Sequence, residues 1–292
     1  MANITVIGFG EAGTIFASEL VKNHHVTVWD TKFIGDAGEA MRNKARICGV
    51  HAAGSLAEAL ENAEWIFSLV TAGNSLNLVL ECQPLLREGQ SFLDCNSVAP
   101  GTKRQAAECC LGRANYVDVA VMAPVPPNRA ATPLLIGGET ALQTVQFLQQ
   151  SGLNASFGSN QVGDVSAIKM CRSVMIKGLE ALTTECLLAA RHYGVEDEVL
   201  ASLHASFPSL GWDGDFPHYM ISRVAEHGVR RAEEMREVMK MIEDAGLPAS
   251  MCIGTIATQQ RLPEKMTQRG VVWETLQPFD WKQTADDLFL RR

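Results

Sequence analysis

Ile4-Thr5-Val6-Ile7-Gly8-Phe9-Gly10-Glu11-Ala12-Gly13 is the run from which the fold reads outward. Four β-branched residues make a short strand, three glycines spaced G-x-G-x-x-G follow it, and the stretch Ala12 to Val21 reads as a helix. In that context the spacing binds a dinucleotide. Gly8 permits the tight turn, Gly10 leaves bare backbone for a pyrophosphate, and Gly13 lets the helix lie close on the strand. The pyrophosphate then rests on the free amides of the helix N-terminus. The expected cofactor set is Gly8, Phe9, Gly10, Glu11, Ala12 and Gly13, and the competing reading is a purely structural glycine turn.

The next apolar run, His25 to Trp29, ends on Asp30, 17 residues past Gly13. A carboxylate there accepts hydrogen bonds from both ribose hydroxyls and repels a 2′-phosphate, which favours NAD over NADP. Lys32 beside it leaves some room for a phosphate, and the plain alternative is a strand-end aspartate capping a turn. Further strand-like runs at Glu64 to Val70, Ser91 to Cys95 and Tyr116 to Val121 alternate with helix-compatible sequence, as parallel strands joined by helical crossovers do. Leu134 to Ile136 reads as one more strand, closed by Gly137 and Gly138. Val70 and Thr71, at the end of the third long run, join the cofactor set because open α/β sheets bind ligands outside the carboxyl ends of their strands.

Beyond about residue 160 strand signals stop. Val165 to Tyr193 reads as one long helix, with further helices at Pro217 to Glu226, Arg230 to Ala245 and Ala249 to Gln260. The fold class is therefore an α/β Rossmann nucleotide-binding domain over residues 1–160, followed by an all-α domain over 161–292.

Of the 292 residues, 47% are apolar and 20% charged, and the net charge is −8. This composition excludes a disordered or collagen-like chain and carries no basic footprint for nucleic acid. The eight cysteines form no Cys-x-x-Cys pair or zinc-spaced cluster, so reduced thiols and no bound metal are expected. No apolar run is long enough for a bilayer, and no targeting segment precedes the first strand, which points to the cytoplasm.

With the fingerprint and the helical second half, the chain resembles the β-hydroxyacid dehydrogenase family, which includes 6-phosphogluconate and 3-hydroxyisobutyrate dehydrogenases. The resemblance implies a Ser/Thr at the end of a later strand beside nicotinamide and substrate, and a lysine on the long helix that assists proton transfer. The first matches Ser97 in Asp94-Cys95-Asn96-Ser97-Val98-Ala99-Pro100, although Ser97 also suits a cap for the helix starting near Pro100. The second matches Lys169 in Gly163-Asp164-Val165-Ser166-Ala167-Ile168-Lys169. By periodicity alone, Lys169, Ser173, Glu180 and Thr184 form the solvated stripe of an amphipathic helix, opposite Met170, Cys171, Val174, Leu182 and Ala189.

Two departures bear on the substrate. Ser173 stands where family members commonly carry asparagine, next to Arg172. Met122, Ala123 and Pro124 stand in place of a Ser-Gly-Gly run, and proline offers no amide donor. The expected substrate contacts are Asn96, Ser97, Met122, Ala123, Arg172 and Ser173, with Lys177 and Arg230-Arg231 as further carboxylate anchors and RRAEEMRE equally readable as surface ion pairs. With these departures, the resemblance implies an NAD-dependent oxidation of the 3-hydroxyl of a 3-hydroxy acid, including 3-hydroxy-2-amino acids with a hydrophobic substituent, and the long helix and helical second domain resemble family members that pair as homodimers. The rivals are an imine reductase of the same fold and a non-catalytic NAD(P)-sensing protein.

Overall fold

A computed structural model describes residues 1–35 and 38–290. They cluster into two compact units, Met1–Met170 and a second from Cys171 onward. The first unit is built on an eight-stranded sheet: β1 (Asn3–Ile7), β2 (His25–Trp29), β3 (His51–Ala52), β4 (Trp65–Ser68), β5 (Ser91–Asp94), β6 (Asn115–Val121), β7 (Leu134–Gly137) and β8 (Ala155–Ser159). Their spatial order is β3-β2-β1-β4-β5-β6-β7-β8, parallel except that β7 runs antiparallel to β6. The order reverses between β1 and β4, and doubly wound sheets hold ligands in the crevice at the carboxyl ends of the strands flanking such a reversal.

Helices α1 (Glu11–Leu20), α2 (Gly38–Ile47), α3 (Leu56–Glu61), α4 (Ser75–Cys82), α5 (Pro100–Cys110), α6 (Val125–Asn128) and α7 (Ala141–Gln150) complete this unit up to β8. One face of the sheet is covered by Phe16, Leu20 and Ala45 with Ala141, Val145 and Leu148; the other by Leu60, Leu78, Val79, Ala106 and Cys110. Burial of both faces explains why the strands read as continuous β-branched runs rather than alternating ones. The two strands that sequence patterning leaves out lie at the sheet's two ends: β3 is two residues long, and β8 carries a half-exposed Phe157 among small polar residues.

The second unit is helical: α8 (Asp164–Tyr193), α9 (Glu196–Ser206), α10 (Phe216–Asp244), α11 (Ser250–Gln268) and α12 (Trp281–Ala285). The start of α8 belongs to the first unit, because Val165 fills the space left by Gly137 and Gly158, where an added Cβ would come within 3.1 and 2.4 Å of its methyls. The division therefore falls ten residues later than the change in sequence character.

The expected helices Pro217 to Glu226 and Arg230 to Ala245 are corrected to one 29-residue helix, α10, and the expected end at Gln260 moves to Gln268. One contact accounts for both. Pro263 lacks the amide that would bond the Gln259 carbonyl within α11, and that carbonyl lies against Gly228 of α10, 2.1 Å from where a Cβ would stand. Gly228 is a close-approach residue inside a helix, and Pro263 sits at the crossing rather than at a terminus.

Candidate active site

Gly8 leaves β1 at φ +93, and its amide bonds the Trp29 carbonyl at 2.9 Å, tying the turn to β2. A Cβ at Gly8 would stand 2.3 Å from the Leu69 carbonyl oxygen beyond β4, and one at Gly13 would stand 1.9 Å from the Gly8 carbonyl oxygen. At Gly10 a Cβ would meet nothing within 4 Å. Gly10 is also the N-cap of α1 and offers no side-chain cap, so the first-turn amides of Glu11 and Ala12 open onto bare backbone. The residues present fit the pyrophosphate of a dinucleotide.

Asp30 is held from both sides. Its Oδ2 accepts the Phe9 amide at 2.7 Å and its Oδ1 accepts the Lys32 amide at 2.9 Å. The turn-capping reading and the cofactor reading are thus compatible: the backbone bonds aim the carboxylate, and each oxygen keeps a further lone pair. Phe9 is buried edge-on against Phe33, with the Lys44 ammonium 5.1 Å from its ring centroid.

Ser97 does not cap α5, whose N-cap is Ala99 with no side-chain hydrogen bond. Its Oγ accepts instead from Lys169 Nζ at 2.5 Å. Asn96 is buried, and its side chain is engaged throughout: Oδ1 accepts the Val70 amide at 2.8 Å, and Nδ2 reaches Asp94 Oδ1 at 2.7 Å, Ser68 Oγ at 2.8 Å and Ser75 Oγ at 3.2 Å. It fixes the ends of β4 and β5 to one another. Thr71, exposed beyond β4, accepts from Asn74 Nδ2 at 2.8 Å.

At the end of β6 the Met122 amide bonds the Pro133 carbonyl at 2.9 Å, so neither it nor Pro124 offers a donor to a ligand. Met122 and Ala123 are half-buried, and Val125 is packed inside.

In the second unit the expected solvated stripe of α8 is corrected. Lys177, Glu180 and Thr184 are buried, whereas Met175 is 64% and Leu182 57% exposed, with Cys171 and Ala189 also at the surface. The polar stripe is buried because it has partners. Lys177 pairs with Glu234 at 2.7 Å, Glu180 pairs with Arg231 at 2.5 Å, and Gln259 Nε2 reaches Glu180 at 3.1 Å. Of the expected carboxylate anchors, Lys177 and Arg231 are therefore engaged within this unit, Arg230 forms a surface pair with Glu234, and Arg172 is exposed. The Gly211-Trp212-Asp213-Gly214-Asp215 turn contributes to the wall of a cavity of about 410 Å³.

His227 shares the α10 surface with these arginines. Burial, then the charges of Arg223, Arg230 and Arg231, hold its imidazole down to about 4. The fold thus favours the neutral ring, a contribution complete at neutral pH and lost as pH falls from about 6.5 toward the folded value. Thermal stability is expected to decline over that acid range, and His227→Gln to flatten the decline; an unchanged acid slope in the variant removes this explanation.

The NAD-binding domain of 6-phosphogluconate dehydrogenase matches residues 3–152, slightly more than half of the chain. The chain belongs to the β-hydroxyacid dehydrogenase family. A domain of unknown function, DUF1932, matches residues 190–262. Among relatives, a 3-hydroxyisobutyrate dehydrogenase from Pseudomonas aeruginosa is 28% identical over 73% of this chain and 72% of its own length. A conserved hypothetical protein from Sinorhizobium meliloti is 34% identical, with a TM-score of 0.76 over 99% of this chain and 97% of that one. A conserved protein described as structurally similar to 3-hydroxyacid dehydrogenases is 30% identical, with a TM-score of 0.70 over 91% of this chain and 98% of that one. Membership of this oxidoreductase family carries a nicotinamide dinucleotide cofactor with it.

Against the family's pattern, sequence reading overlooked the charges beneath Ser97. Lys103 of α5 is fully buried between Asp94 and Asp118. One signal was present: Lys103 falls on the same helical stripe as Pro100, Ala106 and Cys110, all buried.

Proposed function

We propose that this chain is an NAD-preferring dehydrogenase that oxidises the 3-hydroxyl of a 3-hydroxy acid to the β-keto acid, with 3-hydroxy-2-amino acids bearing a hydrophobic substituent as a subclass. The reading rests on one observation, the hydrogen bond from Lys169 Nζ to Ser97 Oγ at the carboxyl end of the sheet. An amine and a hydroxyl so joined form a proton-transfer pair for an alcohol placed beside them. When bound, the dinucleotide supplies the hydride acceptor. Lys169 as free amine takes the hydroxyl proton as the carbonyl forms, and in the reverse direction its ammonium returns that proton to the carbonyl oxygen. Ser97 orients the oxygen. Arg172 and Ser173, within one turn of Lys169 on α8, are assigned to the substrate's carboxylate and polar groups, and the Met122-Ala123 loop to its apolar part.

The experiment is a panel of 3-hydroxy acids and 3-hydroxy amino acids with NAD and NADP in parallel, followed by absorbance of the reduced cofactor. Turnover of cyclic imines alone would assign an imine reductase instead, and cofactor binding without any turnover a sensor.

The NAD preference is assigned to the Asp30 carboxylate, which a 2′-phosphate would approach at an electrostatic cost. Asp30→Asn is expected to lower the NAD-over-NADP preference by about tenfold, roughly 1.4 kcal/mol; parallel titrations with both cofactors check this, and an unaltered ratio overturns it. The homodimer is supported by the exposed apolar side of α8, Met175 and Leu182 included. Light scattering of the purified protein tests it.

A further inference from the structure

Lys103 is a charged side chain with no exposure at all, set between two carboxylates with no exposure either. Its Nζ lies 3.2 Å from Asp94 Oδ1 and 3.3 Å from Asp118 Oδ1, and donates to the Asp94 carbonyl at 2.6 Å. Burial opposes the ammonium, but Asp94 and Asp118 more than offset it and hold the amine above its ordinary value, with Cys95 also facing it. Buried ion clusters of this kind are weak sources of stability, since desolvation consumes most of the Coulomb gain. The two carboxylates also hold backbone and side chains on either side of the cluster.

Asp94 accepts the Asn96 amide at 2.9 Å, the Asn96 side chain, Tyr116 Oη at 2.7 Å and Ser75 Oγ at 3.2 Å, and so fixes the segment carrying Ser97. Asp118 accepts the Gly163 amide at 3.0 Å, the Ser166 amide at 3.4 Å and Ser166 Oγ at 2.7 Å, and so fixes the first turn of α8, one turn before Lys169. Those amides carry the positive end of the α8 dipole, which suits a carboxylate. Lys103 is the shared counter-ion joining the two halves.

We propose that Lys103 is a positioning residue: by pairing with Asp94 and Asp118 at once, it sets the distance and alignment between Ser97 Oγ and Lys169 Nζ without touching either. The proposal deepens the proton-transfer reading above and rests on it for its catalytic consequence. The geometric part stands independently.

Two variants test it. Lys103→Met removes the shared ammonium and leaves two buried carboxylates, which endangers folding. Asp118→Asn instead lowers the buried charge, keeps the Asp94–Lys103 pair, and removes the ionic link between Lys103 and the residue that holds α8, while its amide oxygen can still accept from Gly163 and Ser166. In folded Asp118→Asn, and in Lys103→Met if it folds, turnover is expected to drop about 10- to 100-fold, as small misplacements of reacting groups do, with cofactor dissociation constants within about threefold of the parent. In a Lys169→Ala background the same substitutions should cost no further turnover, since they act through Lys169. The second readout needs neither cofactor nor activity: the rate at which a small amine-acylating reagent modifies Lys169, followed by peptide mass spectrometry, should change at least threefold, while exposed lysines such as Lys22 keep their rates. A folded variant with parent-like acylation of Lys169 overturns the proposal. Altered acylation in a protein that turns over no hydroxy acid would keep it and remove the functional reading instead.

Discussion

Lys169→Ala is expected to cut turnover by about 10² to 10⁴ while leaving NAD and NADH affinity nearly unchanged. The size follows from the step removed. Without an amine beside Ser97 Oγ, the alcohol proton must leave to water as hydride departs, and the loss corresponds to about 3 to 5 kcal/mol of transition-state stabilisation. Cofactor affinity survives because the fingerprint at residues 8–13 and Asp30 form their own hydrogen-bonded unit through Phe9 and Trp29, with no bond to Lys169 among their described contacts. Steady-state kinetics beside calorimetric titration separate the two quantities. Parent-like rates would refute the assignment of Lys169 to proton transfer, and a rate loss matched by an equal loss of cofactor affinity would make it a binding residue instead.

The second large effect separates glycines that look alike in the sequence. Gly13→Ala places a methyl carbon 1.9 Å from the Gly8 carbonyl oxygen and 3.0 Å from its carbon, both rigid backbone. Helix α1 must then lift from β1, at a cost of about 3 kcal/mol of stability with cofactor binding lost as the turn opens. Gly10→Ala meets nothing within 4 Å, so its melting temperature without cofactor should match the parent's. Its dinucleotide affinity should nevertheless fall about 100-fold, since the added methyl stands where the pyrophosphate approaches backbone. Thermal melts of both variants, with and without NADH, check the contrast. A Gly10→Ala protein binding NADH as tightly as the parent would remove the phosphate cradle from residues 8–13.

The nucleotide half was legible because its signals are local. A β-branched strand, a glycine turn and an uncapped helix start occupy adjacent residues, and Asp30 ends the next strand. Ser97 and Lys169 were found by resemblance rather than by pattern, since their spacing in the chain says nothing of a hydrogen bond between them. The helical half was read less well, and for one reason. A glycine or proline inside a helix, or a polar stripe along it, has two meanings that depend on the neighbouring helix. The helix ends expected at Glu226 and Gln260 vanish once Gly228 and Pro263 are seen to lie where α10 and α11 cross, and Glu180 reads as solvated until Arg231 is found opposite it.

Taken alone, the order of residues determined the doubly wound sheet, the glycine turn after β1 and the helical character of the second half, because period, turn chemistry and glycine spacing are properties of neighbouring residues. Tertiary structure alone decided which polar groups are spent on the protein itself. Asn96, Lys103 and Asp118 are separated along the chain and become one hydrogen-bonded unit only when α5 and the start of α8 pack beside β5 and β6. A charge leaves water when several partners converge on it in space, and that convergence is not written in any one segment.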